Sequence, residues 1–413
     1  MLRETILKRI ESERAEIIDL CRKLVQIPSE NPPGDTQAIV KFLGSLFEKK
    51  GLPYKIYSPK PHMPNFVARI EGGEKGRRLV FNGHLDTFPA GNPKLWSHDP
   101  FGSVVEDGKI FGRGVSDMKG GDVASIMAFL YLAENVNRMK GEAVLTLVSD
   151  EETGGEWGTA WLLDHVPEVQ GDAVINGEPG SCELIHFAEK GLIWLEVASR
   201  GKAASAAYPH FGSNAIQNIY HFLNALETLM NLQAATKEIS RIQEKSRETV
   251  DTIKGNGATE ILNRVTVNVG TISGGLKCNL IPDFCRAEVD IRFPHGARSS
   301  DILSKIEAIR SSYPDIEYKI VQVAEPNYTP VDQEIIQLVS KNAEIVRGHH
   351  VFLSCGMNST DCRHFRYRNI PACLYGPRFY QLGAANEYIT IQDLMDTVKV
   401  HTLTAFDFLA WID

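Results

Sequence analysis

Three apolar runs in the first half of the chain each end in ionisable residues: LVFNGHLDT (79–87), LTLVSDEETGG (145–155) and AVINGEPG (173–180). A short apolar run bounded by Gly, Asn, Asp or Glu fits a strand buried on both faces. Between them lie the helix-like KGGDVASIMAFLYLAENV and WGTAWLLDHV, the alternation of an α/β domain. In an open α/β sheet the carboxyl ends of the strands share one edge, where ligands bind. His84, Asp86, Glu151, Glu152 and Glu178 are therefore expected to converge although they are far apart in sequence.

The rest of the chain fits around that sheet. Ile6, Ile10, Ile17, Leu20, Leu24 and Ile27 are spaced as on one amphipathic N-terminal helix, with no continuous apolar signal core, so no export signal is expected. SENPPGDT (29–36) reads as a turn-rich break, Gln37 to Lys50 as a helix, and VEDGKIFG as a hairpin. FGRGVSDMKGG (111–121) places Asp117 in a Gly-rich loop just before a helix. Val123 to Ala133 is about half the ~20 apolar residues of a membrane-spanning helix and reads as a buried one.

From Leu192 the texture changes. LIWLEVASRG reads as a strand, Asn214 to Leu232 as a long helix, and RVTVNVGTISGG and FCRAEVDIRF alternate at period two, a β-α-β-β unit. With 413 residues, more than one ordinary core holds, two domains are expected: 1–186 with 298–413, and an insertion at 187–297. The charged stretch Lys237 to Lys254 reads as a solvated helix or loop within the insertion.

A formal charge of −8 argues against a general nucleic-acid binder and leaves a small molecule or a metal as the partner. Seven cysteines without a CxxC pair indicate no disulfide framework and a reducing cytoplasm; Cys355, Cys362 and Cys373 read as buried thiols. One imidazole with several carboxylates suits a divalent ion such as zinc or manganese. Each acid alone reads more readily as an ordinary exposed loop residue, but the set together does not.

These motifs resemble, nearly end to end, those of the M20 metallopeptidase and amidohydrolase family. The resemblance implies a metallopeptidase-type catalytic domain carrying a smaller α+β lid or dimerisation domain, to which GKAASAAYPHFGSNAI (201–216) and GGLKCNLIPD…DIR (274–292) correspond. It implies His84 as a metal ligand, Asp86 as the group that orients the imidazole, and Asp117 as a carboxylate bridging two metals. Glu151 matches the general base, Glu152 a ligand of one metal and Glu178 a ligand of the other. Asn279 and Arg292 match residues that reach a substrate carboxylate or oxyanion, or else stabilise a strand end. Thr360, Asp361 and Arg363 match a loop at the edge of the site. A small-molecule substrate and a homodimer or higher homo-oligomer follow, with neither nucleic acid nor membrane as partner.

Two histidines of the family pattern are missing. Ser205 stands where an oxyanion-stabilising His is usual, and Gly383, three residues before Asn386-Glu387, stands where a metal-binding His is usual. One ion per site, zinc or manganese with cobalt as a further candidate, is therefore expected rather than two. His210 and His364 belong to the family's own patterns and read as packing or substrate contacts, and His349 and His350 as surface residues. The expected activity is hydrolysis of a C–N bond, such as the amide of an N-acyl amino acid. The lost histidines leave open an aminohydrolase that displaces an amine from an activated carbon, or a degenerate binding protein.

Overall fold

In the computed structural model, which describes residues 2–232 and 235–410, the strand Glu74–His84 lies inside a mixed sheet. It pairs in parallel with Lys140–Val148 on one side and Ala173–Asn176 on the other. Ala372–Leu374 continues the parallel set, and Met63–Glu71 and Tyr54–Lys60 extend it antiparallel. Leu79 to Phe81, Val144, Leu145 and Val174 are fully buried, which explains why these runs are apolar throughout rather than alternating. Because the strands are parallel, His84, the turn after Val148 and the loop after Asn176 all emerge at one edge.

Helix Gly120–Ala133 is buried from Gly120 to Leu132 and packs against helix Ile391–Phe408. The apolar stretch read as a buried helix is thus the core of this layer. Thr390 caps the second helix, its hydroxyl accepting from the Asp393 N–H. The single N-terminal helix expected from the spacing is two, Leu2–Ser12 and Arg14–Val25, interrupted at Glu13. The expected hairpin forms from Val104–Glu106 and Lys109–Phe111, with Asp107 and Gly108 both at positive φ, the geometry that favours Asp-Gly in tight hairpins. Tyr388–Thr390 adds a third strand to it.

The chain divides into two units. The first runs up to Phe187 and resumes with Tyr328–Ser354 and from Thr360 onward; the second comprises Ala188–Asn327 and Cys355–Ser359. The second unit begins at Ala188 and extends past residue 297, to Asn327. Its sheet runs in the order Thr266–Gly274, Phe284–Phe293, Gly191–Arg200, Ile316–Ala324, so the last strand completes it by pairing with the first. Helix Ser299–Arg310, read from sequence as a return to the first domain, packs with helix Ala215–Leu226 on the core of Ile193, Leu195, Phe222 and Val289. The unit is β-α-β-β-α-β, and its closing half was assigned to the wrong domain because a strand's partner lies outside its local sequence. Lys237–Lys245 and Arg247–Lys254 are amphipathic helices that bury Ile239, Gln243 and Val250.

All seven cysteines are free thiols; Cys355, Cys362 and Cys373 are buried. No helix among the described residues is long and apolar enough to cross a membrane.

Candidate metal centre

His84 closes its strand with Nε2 3.0 Å from Asp117 Oδ1 and 3.2 Å from Glu178 Oε1. Its other nitrogen, Nδ1, lies 2.8 Å from the backbone oxygen of Asp86 and 3.5 Å from that residue's carboxylate. The nearer acceptor is therefore the main chain, not the side chain expected to orient the ring. The Asp86 carboxylate is placed differently. Oδ1 accepts the Glu151 N–H at 3.2 Å, and Oδ2 accepts the Glu152 N–H at 3.2 Å and the Asn31 amide at 2.9 Å. It caps the short turn Glu151–Thr153 from beneath and presents both glutamates.

Two donor sets result: His84 with Asp117 and Glu152, and His84 with Glu151 and Glu178, the ligand atoms of each lying within 4.8 Å of one another. The trio expected from sequence, His84, Asp117 and Glu178, is divided between them. Glu151, expected as a base, falls in the second set, within 4.8 Å of the His84 and Glu178 ligand atoms.

The electrostatics of the cluster fit a bound cation. Burial alone would lower the His84 pKa, but the carboxylates of Glu178, Asp117 and Asp86 outweigh it and raise it well above the imidazole range. Burial and the nearby Asp117 push Glu152 up to about 11 and Glu178 up to about 7. Burial and Glu178 also raise Glu151, against the opposing charges of His84 and Arg363. Oε1 of Glu152 is buried with no hydrogen-bond partner. Unpaired carboxylate oxygens crowded around one imidazole fit a divalent ion, and one nitrogen with carboxylate oxygens suits zinc or manganese.

Several residues that sequence reasoning missed hold this arrangement. Glu387, read only as part of the Asn-Glu landmark, is buried, and its carboxylate accepts the N–H groups of Ser116 at 2.8 Å and Gly114 at 3.2 Å. That grip fixes the loop of Asp117. Arg113 bonds Glu387 at 2.5 Å and donates to the carbonyls of Gly383 and Ala384, each at 3.1 Å. Asn31, inside the break SENPPGDT, braces Asp86, and the buried Lys119 ammonium donates to the Ile27 carbonyl at 2.8 Å. Asp122 is buried beside Gly83 with neither carboxylate oxygen partnered, and burial raises its pKa well above the carboxylate range. The only local signals were the Asn before Pro-Pro and the Asn-Glu pair, and neither identifies its partner.

Arg363 of the expected edge loop is buried, with one guanidinium nitrogen 3.5 Å from Glu151 Oε1 and another donating to the Gly154 carbonyl at 2.7 Å. Asp361 accepts the Thr159 hydroxyl at 2.7 Å, and the Thr360 hydroxyl accepts the Cys362 N–H at 3.2 Å. His364 lies 3.7 Å from Asp361 and belongs to neither donor set; burial and Arg363 lower its pKa to about 3. Gly383 has φ +71°, with Phe88 the side chain nearest to where a Cβ would stand. His349 and His350 are exposed and pair with Glu183 and Glu344.

Ser205, His210, Asn279 and Arg292 belong to the second unit. Ser205 pairs with Leu280 in a two-residue ladder, and the Asn279 carbonyl accepts the Ala206 N–H. Arg292 bonds Asp290 at 2.9 Å, and the exposed His210 ring lies 4.0 Å from that of Phe211.

A buried histidine and carboxylate cluster at the strand-end edge of an α/β sheet, with a glutamate of the Glu151–Thr153 turn in each donor set, defines the chain as a metal-dependent hydrolase of C–N bonds. Residues 80–407 match the model of peptidase family M20/M25/M40, and the chain belongs to that family. It is 29% identical over 348 residues to an uncharacterised metallohydrolase of Methanocaldococcus jannaschii, covering 82% of each chain. It is 26% identical to a probable succinyl-diaminopimelate desuccinylase of Staphylococcus aureus, covering 88% of this chain and 89% of that one. The fold is that of an M20 family metallo-carboxypeptidase from Sulfolobus solfataricus, with TM-score 0.81 and 18% identity over 96% of this chain and 99% of that one.

Proposed function

We propose that the protein cleaves the amide of a small N-acyl amino acid or short peptide with a single divalent ion, zinc or manganese, held through His84. The carrying observation is that one imidazole belongs to both donor sets while Gly383 offers no second. Nε2 has one lone pair, so only one position can have a nitrogen ligand. Asp117 with Glu152, or Glu178, completes that position, and the remaining carboxylate is free to hold substrate or water.

When bound, the ion supplies Lewis acidity, which makes water more acidic and polarises the scissile carbonyl. Glu151 takes the proton of the attacking water as its oxygen bonds the carbonyl carbon. It then delivers that proton to the leaving nitrogen as the C–N bond breaks. Arg363, 3.5 Å away and anchored on Gly154, keeps the Glu151 carboxylate in place through both transfers. Asp86 holds the turn, and Glu387 the opposite loop, so the two donor sets stay in register.

The absence of an imidazole at both 205 and 383 favours one second reading, an aminohydrolase whose charge develops elsewhere than on a carbonyl oxygen. Two copies meeting through the second unit, whose edge strand Thr266–Gly274 exposes Val269 and Ile272, and a reducing compartment suited to the free thiols complete the proposal. The test is turnover of N-acyl amino acids, dipeptides and aromatic amines by protein of known metal content. Amide cleavage that saturates at one ion per chain is the expected result. Deamination without amide cleavage would replace the first reading by the second.

A further inference from the structure

The segment after strand Ala372–Leu374 runs beside the segment that carries Glu178. Leu374 is in register with Asn176, the Tyr375 N–H donates to the Asn176 carbonyl, the Gly180 N–H donates to the Pro377 carbonyl, and Gly180 bridges Arg378. Between these contacts Gly376 approaches so closely that a Cβ there would stand 2.2 Å from the Glu178 carbonyl oxygen, so only glycine fits. Arg378 therefore leaves the sheet at the same edge as Glu178 and opens the loop that leads to Gly383 and Glu387.

Its side chain is placed differently from three other arginines of this unit. Arg113, Arg347 and Arg368 are each paired with a carboxylate. Among the described residues the Arg378 guanidinium has no ion pair and no hydrogen-bond partner. It lies half-buried over the Tyr380 ring, 5.1 Å from its centroid. Tyr380 is itself stacked on Tyr388 at 4.4 Å with the planes 6° apart, and the Lys109 ammonium lies over the Tyr388 ring, 4.9 Å from its centroid. Tyr388 directly follows Glu387, which grips the Asp117 loop.

A guanidinium held over an aromatic ring keeps its N–H donors available, so it can bind a planar anion without giving up another partner. A carboxylate matches that fork bidentately. We propose that Arg378 is a specificity-determining residue that receives a carboxylate of the substrate. This rests on the amide-hydrolase reading above and adds to it the residue that selects a substrate by its carboxylate.

The experiment compares wild type, Arg378→Ala and Arg378→Lys, each loaded with zinc, on dipeptides and N-acetyl amino acids, every one paired with its C-terminal amide. Wild type is expected to favour the free acid, and Arg378→Ala to lose at least about tenfold of that preference, the scale of a charge-assisted hydrogen bond, through KM rather than kcat. Lys, a point charge without the fork, should restore only part of it. Zinc content and melting temperature should match wild type. An acid preference that survives in Arg378→Ala, or its absence in wild type, overturns the assignment.

Calorimetric titration of the same zinc-loaded proteins with succinate and with succinamide separates this from the hydrolase reading. If wild type turns over none of the panel, the hydrolase reading fails, and succinate binding decides alone. A tenfold or greater loss of succinate affinity in Arg378→Ala, with succinamide unaffected, supports the anion site. Equal affinity removes it.

Discussion

The side-chain amide of Asn31 donates to the carboxylate of Asp86 at 2.9 Å. That contact joins the N-terminal turn to the residue from which His84, Glu151 and Glu152 all take their orientation. Removing the amide leaves Asp86 Oδ2 with the Glu152 N–H alone. Asn31→Leu is expected to weaken metal binding by about 10–100-fold, as changes behind metal ligands do. Chelator competition measures it, and the visible spectrum of the cobalt form should shift with the altered ligand geometry. An unchanged cobalt spectrum and affinity would show that Asn31 only fills space.

Glu151→Gln should lower turnover by about 10²–10⁴, the usual contribution of a positioned acid or base, while metal content stays within error of wild type. Glu152→Gln should act mainly on metal content, because Glu152 belongs with His84 and Asp117. Atomic absorption beside steady-state rates distinguishes the two. Metal loss in Glu151→Gln would make Glu151 a ligand rather than the base.

Arg113 and Glu387 are both buried and bond each other at 2.5 Å. Glu387→Gln leaves the Arg113 charge uncompensated and should destabilise by about 3–5 kcal/mol. Replacing both, Arg113→Met with Glu387→Gln, should recover part of that loss in urea denaturation. The double variant should still bind metal weakly, because Gln cannot reproduce the charged grip on the Ser116 and Gly114 amides.

In the metal-free protein His84 and Glu178 both titrate above their ordinary values, Glu178 moving from 4.5 to about 7. A raised folded pKa stabilises the protonated fold below the ordinary value, and that contribution is lost as pH rises through the folded one. Metal-free wild type should therefore lose melting temperature between about pH 4.5 and 7 more steeply than metal-free Glu178→Gln. Metal binding needs deprotonated ligands and has the opposite slope, so the melting-temperature gain on adding zinc should grow over the same range. Calorimetry with and without chelator reads both.

Restoring the missing imidazoles discriminates the two chemical readings. Gly383 sits at φ +71°, so Gly383→His should cost about 1 kcal/mol in strain before any ligand effect. If charge does not develop on a carbonyl oxygen, neither Gly383→His nor Ser205→His should raise kcat/KM on the native substrate. A large gain towards N-acyl amino acids, with a second ion bound, would instead identify a weakened amide hydrolase.

The sequence by itself determined which residues reach the sheet edge. Apolar runs ending in GHLDT, SDEE and GEP are local patterns, and parallel pairing carries His84, Glu151, Glu152 and Glu178 to one side. Asp117 was legible for the same reason, from a Gly-rich loop before a buried helix. Only the tertiary structure decided what holds them. Glu387 binds a loop some 270 residues away in the chain, Asn31 binds Asp86 across 55, and strand Ile316–Ala324 finds Gly191–Arg200 across the whole second unit. Strand and helix periodicity is written in neighbouring residues because it follows from backbone geometry, whereas a hydrogen bond between distant side chains leaves no period to read. The choice between Asp86 as a brace for the imidazole and Asp86 as a cap for the Glu151 turn is of that second kind. It depends on where two strand ends stop relative to each other, and the packing of the sheet sets that distance.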